Sequence, residues 1–174
     1  MTEPICHKDG IPIFSFAGFS NSGKTTLMCK IVSALKDKGY RVATVKHDGH
    51  DFSMDQQGKD TWKHREAGAD VVAITSASKV AIIDYRAYER EKQLLQVLSY
   101  IENVDIILVE GFKNVPMPKI FVVREQQQLE QMDKIPMIEG VATDFLLEQQ
   151  RLPVYDINNV QAMAEYIIKR CNLA

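Results

Sequence analysis

The sequence lacks the features that are typical of membrane-bound, exported or nucleic-acid-binding proteins. Its 174 residues carry 21 Lys and Arg against 23 Asp and Glu, which gives a formal net charge of −2. There is therefore no basic excess to attract a nucleic acid or an anionic lipid surface. No apolar run approaches the roughly 20 residues that a spanning helix needs. Residues 1–10 are polar and lack the apolar segment of a signal peptide. We expect no nucleic-acid partner and no membrane partner.

Cysteine is also scarce. The three cysteines, Cys6, Cys29 and Cys171, are odd in number and share no C-x-x-C spacing. They indicate reduced thiols in a cytoplasmic protein rather than a disulfide framework. The chain has no internal repeat and no linker, and 45% of its residues are apolar, enough for one core. We therefore expect a flexible extension over residues 1–10 and a single domain over residues 11–174.

The most informative feature that is present is Gly18–Thr26, GFSNSGKTT, which fits the phosphate-binding pattern G-x-x-x-x-G-K-[ST]. In this pattern backbone N–H groups enclose the phosphates, the lysine reaches the β- and γ-phosphate oxygens, and the Ser or Thr hydroxyl ligates Mg²⁺. Its glycines allow the backbone to come close to the phosphate. The residues predicted to bind nucleotide are Gly18, Ser20, Asn21, Ser22, Gly23, Lys24, Thr25 and Thr26, with Thr25 as a metal ligand and Lys24 as a catalytic residue.

The surroundings of this loop support the same interpretation. Ile11–Ala17 is a short apolar run of the kind expected for a buried strand. Leu27, Ile31 and Leu35 recur every four residues after the loop, and Gly39 is a plausible helix stop. The pattern predicts a strand, a phosphate-binding turn and a helix whose positive N-terminal end faces the phosphate.

The rest of the chain alternates strand and helix signals. The predicted strands are 41–46, 71–75, 79–84, 105–110, 120–123 and 138–142, and the predicted helices are 59–68, 89–102 and 160–171. Strands 71–75 and 79–84 are close enough to form a hairpin. Because strands alternate with helices, we predict a doubly wound α/β fold with a mostly parallel sheet, a P-loop NTPase fold. Its ligand would lie at the carboxyl ends of the strands.

Phosphoryl chemistry with Mg²⁺ needs a second acidic group, usually at the end of an apolar strand. The most apolar strand signal ends in Glu110-Gly111, whereas Asp105 stands at its beginning, at the wrong end of the sheet. We therefore predict that Glu110 holds the metal or its water shell, as a metal ligand and catalytic residue. The alternative is a strand-end carboxylate that only faces solvent.

A polar loop, Lys46–Phe52, begins where the second predicted strand ends, on the ligand side. We place Lys46 and His47 among the nucleotide-contacting residues and expect the loop to close over the nucleotide or a second ligand. Its H-x-x-H spacing also allows a metal site, although no further Cys or His cluster would complete one for zinc. Farther on, Asp60 and Arg65 could face the same pocket, or could lie on a solvated helix face with local ion pairs.

Thr143 and Asp144 follow the late strand signal 138–142. A carboxylate at this place can accept hydrogen bonds from N1–H and the 2-amino group of guanine, which adenine does not offer. An alternative is that Asp144 caps a helix that starts at Phe145. No residue stands out as a water-positioning glutamine or an arginine finger. We therefore expect slow hydrolysis.

Several motifs in a fixed order resemble the molybdopterin-guanine dinucleotide biosynthesis protein B family. They are the phosphate loop, V-K-H at Val45–His47, G-K-D at Gly58–Asp60, R-E-A-G-A at Arg65–Ala69 and V-E-G-F-K at Val109–Lys113. The resemblance covers about Ile11 to Asp144. Phosphate loops occur in many NTPases, so the order of the other motifs carries most of the specificity.

This resemblance implies a cytoplasmic, homodimeric GTP-binding protein with weak, Mg²⁺-dependent GTPase activity. It would act as an adapter to the molybdopterin guanylyltransferase in molybdenum cofactor biosynthesis. The resemblance implies that the phosphate loop binds GTP, that Glu110 helps with Mg²⁺, and that Asp60 and the His47–Asp51 loop flank the nucleotide or pterin. It also supports Thr143 and Asp144 in base recognition.

Two alternatives remain open at this point. The first is a small-molecule kinase of the same phosphate-loop class, which would release nucleoside diphosphate only when an acceptor is present. The second is a scaffold in which nucleotide sets a dimer or partner interface without turnover. Dimerisation itself is expected from the resemblance and from the hairpin 71–84, whose edge could pair between two chains.

Overall fold

The computed structural model describes residues 3–147 and 151–173. Its residues form two compact units, one made of the chain up to His47 and from Leu94 onward, the other of Asp48–Gln93. No linker marks this division in the sequence, which is why the sequence predicts one domain over residues 11–174. Each unit has its own sheet.

The elements alternate along the chain as the sequence predicts. In chain order they are β1 (His7–Lys8), β2 (Ile11–Gly18), α1 (Lys24–Asp37), β3 (Val42–Lys46), α2 (Asp60–Glu66), β4 (Val71–Thr75), β5 (Val80–Asp84), α3 (Arg90–Ser99), β6 (Ile106–Glu110), β7 (Lys119–Val122), a 3₁₀ helix (Gln126–Lys134), β8 (Ile138–Thr143), β9 (Val154–Asp156) and α4 (Val160–Arg170).

The main sheet has the strand order β3-β6-β2-β7-β8-β9, and every neighbouring pair on this path is parallel. β1 is the exception, because it pairs with the start of β2 in the antiparallel direction. The carboxyl ends of β6, β2, β7 and β8 therefore meet at one edge. This arrangement confirms the predicted α/β fold with a mostly parallel sheet.

Both faces of the sheet are covered, which explains why its central strands are apolar throughout. Ile106 and Leu108 of β6 pack in one cluster with residues of α1 and α4. Ile107 and Val109 point to the other face and pack with Leu94 of α3. Successive side chains of a strand alternate between faces, so a strand with helices on both sides has no solvated face.

Some details differ from the sequence predictions. The three-residue strand β9 and the 3₁₀ helix are too short or too polar to give a clear pattern. No helix begins at Phe145 within the described residues, so the helix-cap alternative for Asp144 is not supported there. The expected N-terminal extension is tied to the sheet from Ile5 onward, because Ile5 N–H donates to Pro116 O at 2.8 Å and Ile13 N–H donates to Cys6 O at 2.9 Å.

The second unit contains α2 and the antiparallel hairpin β4–β5. The register places Val71 opposite Asp84 and Thr75 opposite Val80. Ser76 N–H closes the turn by donating to Lys79 O at 2.9 Å. The predicted hairpin is thus confirmed. Across the described parts of both units, no helix has the length and hydropathy to cross a membrane.

Candidate functional site

The phosphate loop lies between β2 and α1, at the carboxyl edge of the main sheet. Gly18 has φ 155°, and a Cβ there would lie 2.4 Å from Val122 O. Gly23 has φ 88° and precedes the first residue of α1. Only glycine fits both positions without strain. Ser20 and Asn21 are exposed at the tip, whereas Ser22 is buried beneath it.

The N-terminus of α1 is arranged for an anion. No side chain caps it, and its first turn contains no acidic residue. The exposed Thr25 and Thr26 lie in this turn. Uncapped N–H groups at a helix start attract phosphate through hydrogen bonds and the helix dipole.

Lys24 folds back over the loop. Its Nζ donates to Phe19 O at 2.5 Å and lies 3.5 Å from Ser22 Oγ. Burial lowers the pKa of Lys24, the Glu110 carboxylate opposes this effect, and the nearby Lys46 ammonium adds to it. Both oxygens that Lys24 contacts are neutral, so its charge is left without a direct ion pair in the loop. A phosphate would supply that partner.

Glu110 lies beside the loop at the end of β6. Its Oε1 accepts a hydrogen bond from Thr25 Oγ1 at 2.7 Å, and Lys46 Nζ lies 3.7 Å from the same oxygen. The Glu110 side chain is 9% exposed and that of Lys46 is 55% exposed. The parallel register between β3 and β6 pairs Lys46 with Glu110. The sheet thus brings together residues that are 64 positions or more apart in sequence.

The Thr25 hydroxyl and the Glu110 carboxylate form a set of hard oxygen donors that fits Mg²⁺. This ion is usually bound by one or two carboxylates together with substrate phosphates, and it keeps several waters. Within residues 3–147 and 151–173, no group of three or more His, Cys, Asp and Glu is placed to hold a metal by itself. A magnesium ion at Thr25 and Glu110 would therefore depend on the phosphates for further ligands.

His47 continues the pairing beyond β3. Its N–H donates to Glu110 O at 2.9 Å, and its ring stacks on Phe112 with a centroid distance of 4.5 Å. Gly111 has φ 92°, and a Cβ there would lie 3.0 Å from His47 O. The close approach of the two strand ends explains the glycine that follows Glu110. His47 is thus fixed next to Glu110.

The remaining loop residues and Asp60 belong to the second unit. Asp48 Oδ1 accepts from His50 N–H at 3.2 Å, which forms a local turn. Asp60 begins α2, and its 89%-exposed side chain pairs with Lys63 at 3.3 Å. Arg65 lies over the Tyr85 ring, 4.7 Å from the centroid. A role for Asp60 or the loop near the nucleotide stays a prediction.

Thr143 and Asp144 lie at the carboxyl end of β8. Thr143 is buried, and its Oγ1 accepts from Phe145 N–H at 3.4 Å. Asp144 forms an ion pair with Arg124, whose Nη1 donates to Asp144 Oδ2. Arg124 Nε also donates to Ser22 O of the phosphate loop at 3.1 Å. The candidate base-recognition residue is thereby linked to the phosphate loop.

Arg124 lies at this edge too and is absent from the residues predicted from the sequence. Its position, directly after the predicted strand 120–123, is a signal that could have identified it. Its importance depends on the strand order, because β7 lies between β2 and β8. That order places Arg124 between the phosphate loop and Asp144.

The comparisons with known proteins agree on one family. The family model for "Molybdopterin guanine dinucleotide synthesis protein B" matches residues 13–144. A molybdopterin-guanine dinucleotide biosynthesis adapter protein of Haemophilus influenzae is 34% identical over 90% of this chain and 88% of its own. The Escherichia coli adapter protein is 33% identical over 93% of this chain and 94% of its own.

The fold agrees as well. The crystal structure of Bacillus subtilis MobB superposes with a TM-score of 0.76 and 28% identity, over 92% of this chain and 98% of that chain. The family model, which spans residues 13–144, covers both the phosphate loop and Asp144. The chain belongs to the molybdopterin-guanine dinucleotide synthesis protein B family.

Proposed function

We propose that this chain is a cytoplasmic GTP-binding adapter in molybdopterin-guanine dinucleotide biosynthesis, with weak Mg²⁺-dependent GTPase activity. It would work beside the molybdopterin guanylyltransferase. The observation that carries the proposal is the 2.7 Å contact between Thr25 and Glu110 at the phosphate loop. It joins the hydroxyl that the phosphate-binding pattern reserves for Mg²⁺ to a strand-end carboxylate. The adapter role rests on the names of the relatives.

Each site residue has a separate task in this proposal. The N–H groups of the phosphate loop and of the first turn of α1 bind the phosphates, and Lys24 supplies charge to them. Thr25 and Glu110 would hold Mg²⁺, which when bound neutralises charge on the phosphates. Lys46 lies 3.7 Å from Glu110 and limits the negative charge there. The Glu110 carboxylate is engaged with Thr25 and Lys46, which suits a metal ligand better than a base. Because no residue is then assigned as the base that activates water, we expect slow hydrolysis of GTP.

The guanine preference is assigned to Asp144. A carboxylate accepts hydrogen bonds only, which matches the N1–H and 2-amino donors of guanine. A site that presents an acceptor to these donors disfavours adenine, because the carboxylate then faces the N1 acceptor of adenine instead of a donor. Thr143, which precedes it, keeps the end of β8 in place through its contact with Phe145 N–H.

Calorimetric titration with GTP and ATP, each with Mg²⁺, tests this proposal. We expect GTP to bind more than about tenfold tighter than ATP, and we expect Asp144→Asn to remove most of that preference, since an amide presents a donor to the base. Asp156→Asn is a matched control at the end of β9. If ATP binds as tightly as GTP, the proposal is wrong about the base.

The homodimer is proposed to form through the hairpin. The register puts Val71, Ala73, Val80 and Ile82 on one face of β4–β5, and Val71, Val80 and Ile82 are 40%, 67% and 43% exposed. Apolar side chains on an exposed two-stranded sheet favour pairing with a second copy. Sedimentation of a Val80→Lys, Ile82→Lys double variant tests this. A monomer is expected, and a variant that stays dimeric excludes the hairpin as the interface.

A further inference from the structure

Arg124 joins the two halves of the proposed nucleotide site. It lies two residues beyond β7, and its Nε donates to Ser22 O at 3.1 Å, in the phosphate loop. Its Nη1 donates to Asp144 Oδ2. One side chain thus contacts both the loop that would bind the phosphates and the carboxylate that would bind the base.

The backbone around Arg124 is held in place too. Arg124 N–H donates to Gln128 Oε1 at 2.9 Å. On the other side, a Cβ at Gly23 would come within 2.9 Å of Arg124 Nη2. The guanidinium therefore lies close to Gly23 of the phosphate loop, and the missing side chain of this glycine leaves the space for it. A longer side chain at position 23 would displace it.

These contacts differ from those of an ordinary surface ion pair. The Arg124 and Asp144 side chains are both 38% exposed, and an exposed pair alone contributes little. However, the second acceptor, Ser22 O, belongs to a residue that is 1% exposed. A guanidinium presents its N–H groups in a fixed plane, so two contacts fix the direction of the carboxylate relative to the loop.

The contact with Arg124 leaves hydrogen-bond acceptor positions of the Asp144 carboxylate available for a base. Arg124 uses Oδ2, whereas a carboxylate has about four acceptor positions on its two oxygens. An Asp144 that is already oriented loses less conformational entropy when it receives guanine N1–H and the 2-amino group. The same guanidinium sets how far the base-binding oxygen lies from the phosphate loop.

We propose that Arg124 is a positioning residue for guanine recognition, acting through Asp144. This inference rests on the proposed function, because it requires that the site binds GTP. Arg124 favours guanine by orienting the Asp144 carboxylate. A positive charge at position 124 without the planar guanidinium is not enough for this orientation. Lysine keeps the charge but lacks the rigid fork, so Arg124→Lys separates orientation from electrostatics.

The experiment measures dissociation constants of GTP, ATP and inorganic tripolyphosphate, each with Mg²⁺. In Arg124→Lys we expect the GTP-over-ATP preference to fall about tenfold. We expect tripolyphosphate binding to change less than about threefold, because the charge is kept. Arg41→Lys is the matched control, since Arg41 forms a two-point pair with Asp105 at the opposite end of the sheet. The Arg41→Lys variant should have the same GTP-over-ATP preference as the wild type.

A double variant tests whether Arg124 acts through Asp144. If it does, Arg124→Lys combined with Asp144→Asn has the same base preference as Asp144→Asn alone, because the contact to be oriented is already gone. Additive losses would overturn the inference. A structural defect without a role in recognition would instead weaken GTP, ATP and tripolyphosphate binding by equal factors.

The outcomes separate this inference from the proposed function. A wild type that binds ATP as tightly as GTP overturns both, and no variant is needed to see it. A wild type that prefers GTP, with Arg124→Lys and Arg124→Gln keeping that preference, overturns the inference alone. If Arg124→Gln does not fold, as judged by thermal unfolding, the Arg124→Lys result decides.

Discussion

The two ends of the main sheet each hold a lysine whose pKa burial lowers, but only the surroundings of Lys24 support the proposed phosphate-binding role. At the amino end Lys119 is fully buried, and its Nζ donates to Val115 O and Pro136 O at 2.8 Å each. At the carboxyl end Lys24 is partly exposed, beside Ser22 Oγ and the uncapped start of α1.

The difference lies in what surrounds each ammonium. Lys119 is enclosed by protein, and its partners are carbonyl groups that fix two loops to β7. Lys24 borders the phosphate loop and the start of α1, where no side chain caps the backbone N–H groups, and such N–H groups favour an anion. Burial lowers the pKa of both groups, so a lowered pKa alone does not distinguish the two lysines. The proposal that Lys24 binds phosphate rests on the groups that surround it.

The largest expected effect concerns Lys119 and the dependence of stability on pH. Burial lowers the pKa of Lys119 from 10.5 to about 8. Between these values the unfolded chain binds the proton and the folded protein does not, so the free energy of unfolding rises with pH. The full effect is on the order of 3 kcal/mol. Below pH 8 both states are protonated, and the contribution is constant.

Denaturant unfolding of the wild type and Lys119→Met from pH 7 to pH 10.5 measures this effect. The stability difference between the two should shift in favour of the wild type as pH rises. Lys134→Met, an exposed lysine of the 3₁₀ helix, is the control. A difference that stays constant with pH would mean that Lys119 keeps its proton in the fold.

The next effect concerns Lys24 at the other end. Lys24→Ala should weaken GTP binding about 100-fold, because a charge-assisted contact to the phosphates is lost. Calorimetry measures the change, and Lys30→Ala, an exposed lysine of the same helix, is the control. If both variants bind equally well, Lys24 has no phosphate contact and the comparison between the two lysines fails.

The smallest effect concerns the Arg41–Asp105 pair at the amino end. Arg41 donates to Asp105 through its backbone N–H at 2.7 Å, Nε at 3.2 Å and Nη2 at 2.7 Å. The Arg41 side chain is 60% exposed. We expect Arg41→Ala to change stability little, because an exposed ion pair contributes little, and to leave GTP affinity unchanged. A large loss of GTP affinity would contradict the proposal that GTP binds only at the carboxyl end of the main sheet.

The sequence predicts those parts of the site that depend on local pattern. The phosphate loop follows from spacing and from flanking strand and helix signals. Glu110 follows from its place at the end of the most apolar strand. Arg124 is different, because only the strand order β2-β7-β8 puts it between Ser22 and Asp144. Long-range neighbours of this kind leave no periodic signal.

The prediction of the fold from the sequence is limited in the same way, because short elements depend on long-range contacts. Long buried strands and amphipathic helices are predicted within a few residues, since burial imposes their period. The three-residue β9 and the two-residue β1 depend on neighbours that are already in place. The division at Asp48–Gln93 is equally hidden, because no proline- or serine-rich linker marks either of its boundaries.

The most direct test of the proposed metal site at Thr25 and Glu110 is the contribution of Mg²⁺ to GTP affinity. GTP is titrated by calorimetry with and without Mg²⁺ into the wild type, Thr25→Val and Glu110→Gln, with Thr26→Val as the control. We expect Mg²⁺ to tighten binding about tenfold or more in the wild type and the control. In Thr25→Val and Glu110→Gln this gain should nearly vanish. If both keep the full gain, the metal is not held by Thr25 and Glu110, and the account of the site is wrong.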